Sequence, residues 1–257
     1  MRSVLLILCG ALIAVGAFLG VRATMPSQLA AAAPAAASMT GDKAALGKAI
    51  REYLIANPEV LVEAMQELER KQDSQQNTAA QKAIHENRTA LLSDPDSPIA
   101  GNPNGDVTIV EFSDYQCPYC KRTHPVVKSI LASDSKVKLV FKDLPILGEA
   151  SRIAALAALA SRAQNKHLAF DDALMEFNGK LDRDKIMQIA GSVGIDVTQL
   201  QKDMEDPKLK EIIDHNLALA SALGVRGTPA FVIGDQFVPG AIDADTLKQL
   251  IAAARKG

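Results

Sequence analysis

From residue 4 to residue 21 the chain is apolar without a break and carries no charge, with Arg2 ahead of it. This is the pattern of an export-signal core, and it is also just long enough to span a bilayer. Val21-Arg22-Ala23 and the Ala-rich residues 30–37 offer small residues at cleavage offsets, so residues 1–23 are expected to serve as a signal peptide or to stay as an uncleaved anchor. In either case Arg2 keeps the N-terminus inside and sends the rest of the chain out. Residues 24–38 are Ala/Pro-rich and aperiodic, which predicts a disordered linker. From Asp42 the period becomes helical, with Leu46, Ala49, Ile50, Tyr53 and Leu54 on one face. Asn57-Pro58 ends that helix and opens a second, Asn as N-cap, Pro at the first position and Glu59 beside the new N-terminus. The second helix runs toward Leu92. Its apolar seam is Leu61, Met65 and Leu68, then Ile84 and Leu91, with a polar centre at Gln72, Asp73, Gln75, Gln76 and Asn77. Residues 39–93 are therefore expected to form a helical arm that associates with other copies of the chain. The alternatives are a charged helix lying along its own domain, or a partly melted linker.

Asp94-Pro95-Asp96-Ser97-Pro98 and Gly101-Asn102-Pro103-Asn104-Gly105 form a turn-rich boundary, after which residues 94–257 are expected to make one compact domain. Val107 to Phe112 alternates and is rich in β-branched residues, as a buried strand does. A helix follows from Pro118, with Pro125 as an expected kink, and then a second alternating strand, Lys136 to Phe141. That order is a βαβ unit with parallel strands. Helical patterns fill 149–163 and 167–177, a stretch capped by Asp182 and stopped by Gly194, and one opened by Pro207 that ends near Gly224. Ala230 to Ile233, a Gly234-Asp235 turn and Phe237-Val238 read as a β-hairpin, with a last helix near 245–254. The Pro229 before the hairpin is, by local chemistry, ordinarily a trans turn proline.

The 257 residues are 48% hydrophobic with a net charge of −2, enough apolar surface for a core and no footprint for nucleic acid. Three cysteines occur, Cys9, Cys117 and Cys120. Cys9 lies in the first apolar run, and bulky Leu8 argues against a lipobox there. A cleaved product would hold only Cys117-Pro118-Tyr119-Cys120, in a compartment where stray thiols are a liability. Zinc would want a second ligand pair, haem attachment would want His where Lys121 stands, and a structural disulfide across so short a loop removes little unfolded-state entropy. Redox chemistry is the remaining reading, with metal binding as its competitor. Cys117 falls at a helix N-terminus, where unpaired N–H groups and the macrodipole favour thiolate, and Cys120 lies a turn deeper. The first sulfur attacks and the second resolves.

The Glu111-Phe112 strand end, a C-P-x-C opening a helix, a helical insertion, and Gly227-Thr228-Pro229 before a hairpin and terminal helix resemble the thioredoxin fold of the DsbA family. An export signal, an amphipathic arm with Asn57-Pro58-Glu59-Val60-Leu61, the segment Asp114 to Cys120 and the segment Gly227 to Ile233 are similar to its oligomeric, ScsC-like branch. The resemblance covers about Met39 to Gly257. It implies an α/β thioredoxin fold with a helical insertion over about 146–224, preceded by the arm. It implies that Cys117 is an exposed nucleophile, Cys120 the resolving thiol and Pro229 a cis-proline facing them. Thr228 would pair with an extended substrate strand, Pro118 and Tyr119 would tune the redox potential, and Glu111 would be a buried acid moving protons at the second thiol. The chain departs from DsbA at Tyr119, where DsbA has His, and so lacks a cationic group that would strengthen oxidation.

Each residue keeps its plainer reading. Glu111 is otherwise a partly exposed strand-end carboxylate. His124, a turn beyond Cys120, either acts on the thiols or simply packs. Lys142 either pairs with Glu111 or is solvated, and His85, His167 and His215 are assigned nothing. The resulting expectation is a periplasmic or envelope thiol:disulfide oxidoreductase with no cofactor and no metal. Its partners would be cysteine-containing envelope proteins and a membrane redox partner, and it would be a homo-oligomer through residues 39–92. The arm and Thr228 favour disulfide isomerase; a disulfide-donating oxidase is the alternative, and a Cu(I)-binding copper-tolerance module the alternative of another class.

Overall fold

The structure, a computed structural model, describes residues 43–256. The expected signal or anchor, the linker and Cys9 lie outside the described residues. Helix α1 (Lys43–Ala56) belongs to a unit that ends at Pro58, and everything from Glu59 onward forms a second unit. In α1 no side chain is buried: Leu46, Ile50, Tyr53 and Ile55 are 49–67% exposed. Asn57 closes the helix by donating its own side-chain N–H to the Tyr53 carbonyl at 2.9 Å.

The second unit opens with α2 (Glu59–Glu86) and α3 (Arg88–Leu92). One continuous helix was expected here. Asn87 breaks it: its side chain donates to the Ala83 carbonyl at 2.8 Å, alongside its backbone N–H at 3.0 Å. The two ends of α2 have different fates. Leu61, Val62, Met65 and Leu68 are 50–64% exposed, whereas Ala80 and Ile84 are buried, Ile84 packing with Leu91 of α3 against Val110, Phe112 and Val140 of the sheet. Packing therefore draws residues 80–92 into the compact unit rather than leaving them in an arm that stops at 93.

The sheet contains β1 (Ile99–Gly101), β2 (Val107–Ser113), β3 (Val137–Asp143), β4 (Ala230–Ile233) and β5 (Gln236–Pro239) in the order β1-β3-β2-β4-β5. β2 and β3 are parallel, joined through α4 (Pro118–Ser133) as the βαβ pattern predicts, and the other pairings are antiparallel. Edge strand β1 was not expected, because its short run between turn-rich stretches shows no alternation. α4 runs unbroken through Pro125. The odd-numbered residues of β2 and β3 (Val107, Ile109, Val137, Leu139, Phe141) pack with α4 and with α10 (Ala244–Ala254); the even-numbered ones (Val110, Phe112, Val140) pack with α2, α3 and α9 (Pro207–Ala222). That period-two split decides where each charged residue at the strand ends points.

Between β3 and β4 the insertion comprises α5 (Glu149–Ala160), a 3₁₀ turn (Ser161–Gln164), α6 (His167–Glu176), α7 (Arg183–Ser192), α8 (Val197–Asp203) and α9. Asp182, Asp196 and Asp206 cap α7, α8 and α9, each accepting a backbone N–H. α8 was not expected, although Asp196 carried its start signal. The insertion has its own apolar core, and Tyr115, Cys117 and Cys120 are part of it.

Candidate active site

Cys117 is the N-cap of α4, in extended conformation, with Pro118 in the first helical position and the first helical bond from Lys121 N to the Cys117 carbonyl at 3.1 Å. The preceding loop is held by Asp114. One oxygen of its carboxylate accepts Gln116 N at 2.8 Å, and the other accepts Ile146 N and Leu147 N at 2.9 and 3.0 Å, tying the cysteine loop to the entry of the insertion. Lys121 fastens the other side, donating to the Leu174 and Phe177 carbonyls at the end of α6 at 2.7 and 2.8 Å. Neither residue stood out in the sequence; the short Ser113-Asp114 turn was the available signal for the first.

The Cys117 thiol donates to the Thr228 carbonyl at 3.1 Å, and the Thr228-Pro229 bond is cis, as the family resemblance implies and local chemistry did not. Gly240 N donates to the Pro229 carbonyl at 2.9 Å, binding this loop to β5. Cys117 is recessed rather than exposed, at 4%, and Cys120 is at 0%, so the expected order of access holds although the expected exposure does not. Tyr119 is 54% exposed with the Arg122 guanidinium over its ring at 4.3 Å. Beside Tyr119, Thr228 and Pro229 opens a groove of about 920 Å³ whose far wall is α2, at Asp73, Gln76 and Asn77.

Burial pushes the Cys120 thiol up, with Cys117 and Glu111 adding to the rise, so it is a poor nucleophile until a base takes its proton. Glu111 is buried, not a partly exposed strand-end group, and burial beside Asp171 and Asp143 pushes it up to about 8. Burial and Asp171 likewise push Asp143 up to about 8, and burial with Asp172 nearby pushes Asp171 up to about 7, against the opposing Tyr115 hydrogen bond. Lys142 neither pairs with Glu111 nor is solvated. It is even-numbered on β3, so it points to the opposite face of the sheet, where it is fully buried and bonded to Asp94 at 2.6 Å. His124 is buried, its Nε2 2.9 Å from Asp172 Oδ1. His167 is also buried, edge-on to Phe141 and without a hydrogen-bond partner among the described residues; burial pushes it down to about 3.

A cysteine pair opening a helix, opposed by a cis-proline loop on this sheet order, defines the thioredoxin-fold class of thiol–disulfide exchange proteins. Residues 108–252 match the DSBA-like thioredoxin domain model and residues 42–75 match the ScsC N-terminal domain model, described as that of a copper resistance protein. The chain belongs to the DsbA family, in its ScsC-like branch. A thioredoxin-like oxidoreductase from Silicibacter pomeroyi is 47% identical, with 66% of this chain and 99% of that one covered and a TM-score of 0.66. A linker-deletion mutant of Proteus mirabilis ScsC is 32% identical, covering 86% of this chain and 98% of that one, with a TM-score of 0.64. Disulfide bond formation protein D of Bacillus subtilis is 25% identical over 62% of this chain and 78% of its own length. The chain spans about a quarter (26%) of the length of a further relative, the Na(+)/H(+) antiporter NhaA 1 of Salinispora arenicola, at 26% identity.

Proposed function

We propose that this protein is an exported thiol:disulfide oxidoreductase that acts on cysteine-containing envelope proteins, working as a disulfide isomerase in an oligomer built through α1 and the N-terminal half of α2. The observation that carries the exchange chemistry is the Cys117 sulfur lying 3.1 Å from the Thr228 carbonyl at the mouth of the α2-walled groove. An extended peptide that pairs with the Thr228 backbone brings its own sulfur to Cys117. The Cys117 thiolate attacks a substrate disulfide, one substrate sulfur leaves as thiolate, and a mixed disulfide remains. A second substrate thiolate then attacks the mixed disulfide and frees Cys117, completing isomerisation. Alternatively Cys120, once deprotonated, attacks the Cys117 sulfur and releases a reduced substrate.

The isomerase direction rests on the apolar faces that stay exposed among the described residues. Leu46, Ile50, Leu61, Met65 and Leu68 are each about half exposed, and covering one contributes about 1 kcal/mol, so several together drive association. No helix among the described residues is long and apolar enough to cross a membrane. A membrane redox partner would reset the thiols of an exported chain.

The test uses the mature chain with Leu46→Glu, Ile50→Glu and Leu61→Glu together, which leaves the buried Ala80, Ile84 and Leu91 in place. Light scattering should fall to monomer mass, recovery of a scrambled substrate should drop about 10-fold, and oxidation of a reduced substrate should be retained. Equal isomerase activity in the two forms returns the oxidase reading to first place. Cu(I) binding by a wild-type protein without any exchange activity establishes the metal-binding module instead.

A further inference from the structure

Cys120 sits at the bottom of a dry site. It must lose its proton to resolve a mixed disulfide, and regain it when the 117–120 disulfide is opened. Behind it, the odd-numbered face of β2 and β3 presents two carboxyls at the strand ends, Glu111 and Asp143, toward the side of the sheet that α4 covers. α4 places His124 one turn beyond Cys120 on its buried face. Packed against α4, α6 brings Asp171 and Asp172. Tyr115 joins the groups: its buried hydroxyl donates to Asp171 Oδ1 at 2.9 Å and also faces the Asp143 carboxyl. Asp143 Oδ2 is buried without a hydrogen-bond partner among the described residues, so this is a carboxyl held in the protein with an acceptor left open. On the far side Asp171 Oδ2 lies 4.0 Å from His124 Nδ1, and His124 Nε2 is 2.9 Å from the half-buried Asp172.

We propose that Asp143, Tyr115, Asp171 and His124 extend Glu111, the acid that the family resemblance places at the second thiol, into a buried proton relay that connects Cys120 to solvent at Asp172. The inference rests on the exchange chemistry proposed above. When Cys120 resolves a mixed disulfide, its proton passes to the carboxyl cluster. The new thiolate forms the bond to Cys117 Sγ, the bond from Cys117 to the substrate breaks, and the substrate leaves as thiolate. The cluster then hands one proton outward through Asp171 and His124. In the opposite direction a substrate thiolate bonds to Cys117 Sγ, the 117–120 bond breaks, and the Cys120 thiolate takes a proton from the cluster, which refills from solvent. Neutral His124 suits this port: it accepts at Nδ1 and donates at Nε2, and burial keeps it on the neutral side despite Asp172.

The other ionisable groups around the relay are accounted for. On α4, Lys121 is committed to the Leu174 and Phe177 carbonyls, and Lys128 is paired with Asp172 and Glu176 of α6 at 3.0 Å each. In the cysteine loop, Asp114 is saturated by backbone N–H groups. His167, on α6, is buried beside Phe141, and burial keeps its ring neutral, with no imidazolium proton to release at neutral pH. The imidazole and two carboxylates of the port have oxygens and nitrogens within 4.8 Å of one another, but the Lys128 ammonium on Asp172 fits proton exchange better than a bound cation.

The experiment uses full-length mature protein carrying a mixed disulfide between Cys117 and glutathione, and follows glutathione release by Cys120 from pH 5 to 9 by stopped flow. Asp171→Asn keeps the acceptor for Tyr115 and removes the acid; His124→Gln removes the port. Each variant is expected to slow release about 10-fold near pH 7, less than the ~100-fold a positioned base contributes, and to move the inflection of the pH–rate profile. Alkylation of Cys117 in the reduced protein should stay near wild type, as should the unfolding midpoint at pH 5, where the cluster holds its protons. Added imidazole should restore His124→Gly, which a packing role would not allow. Unchanged release rates and pH profiles in both variants overturn the relay while leaving the oxidoreductase intact. Loss of Cys117 alkylation in step with release overturns it too, by assigning the residues to architecture. A wild-type protein that never releases glutathione would overturn the oxidoreductase reading and the relay with it.

Discussion

Two buried charged sites stand on opposite faces of the same pair of strands. On the even-numbered face Lys142 is fully buried, but Asp94 meets it at 2.6 Å and Ser97 supports that carboxylate at 2.9 Å. On the odd-numbered face Glu111, Asp143 and Asp171 are buried with one another, like charge beside like charge, and Tyr115 is the hydrogen-bond donor among them. The first site answers burial with an opposite charge and so locks residues 94–97 onto β3. The second answers it with protons, because carboxyls this close and this dry are held together only while part of the cluster is neutral. A pair satisfied by its partner stores structure, whereas one satisfied by protons stores protons. The second arrangement lies next to a thiol whose chemistry consumes and releases them.

The comparison breaks most sharply at Asp94. Asp94→Ala leaves the Lys142 ammonium buried alone and is expected to remove about 3 kcal/mol from unfolding stability in urea, with glutathione release by Cys120 changed by less than 2-fold. A loss of release equal to the loss of stability would erase the distinction between the two faces.

The cluster makes stability depend on pH. Its carboxyls sit near 7 to 8 in the folded protein against about 4 in the unfolded chain, so between those values the folded state holds more protons. Stability is therefore full below about pH 4 to 5 and declines as pH rises toward 8, by at most about 1.4 kcal/mol per unit for each whole proton of difference. Asp143→Asn should flatten this slope, read from unfolding midpoints at pH 5, 6, 7 and 8. A slope equal to wild type in that variant would show that Asp143 does not share the cluster's protons.

A smaller effect sharpens the comparison at Lys121, a partly buried lysine that faces carbonyls instead of a carboxylate. Lys121→Met keeps the stem and removes the donors. It should cost about 1 kcal/mol and raise amide exchange at the end of α6, with the pH dependence of stability unchanged.

The cysteine pair, its helix N-terminus, the βαβ unit, the closing hairpin and the apolar faces of α1 and α2 were legible along the chain, since each depends on period, caps or neighbours within a turn. The exceptions were also local in cause. Asn87 competes for the Ala83 carbonyl and splits one expected helix into two, and β1 is too short to display an alternation. What tertiary structure alone decided is who meets whom. Lys142 and Glu111 looked like partners because both end a strand of one unit, yet a parallel register that sets Phe112 beside Lys142 puts the two on opposite faces. Asp171, about 60 positions from Glu111 and carried by an inserted helix, has no sequence signal tying it to the thiols; only the packing of α6 on α4 brings it there. Local order follows from short-range sterics and hydrogen bonding, so the sequence displays it. The electrostatics of the site depend on which faces the folded core brings together, and that is settled by long-range packing.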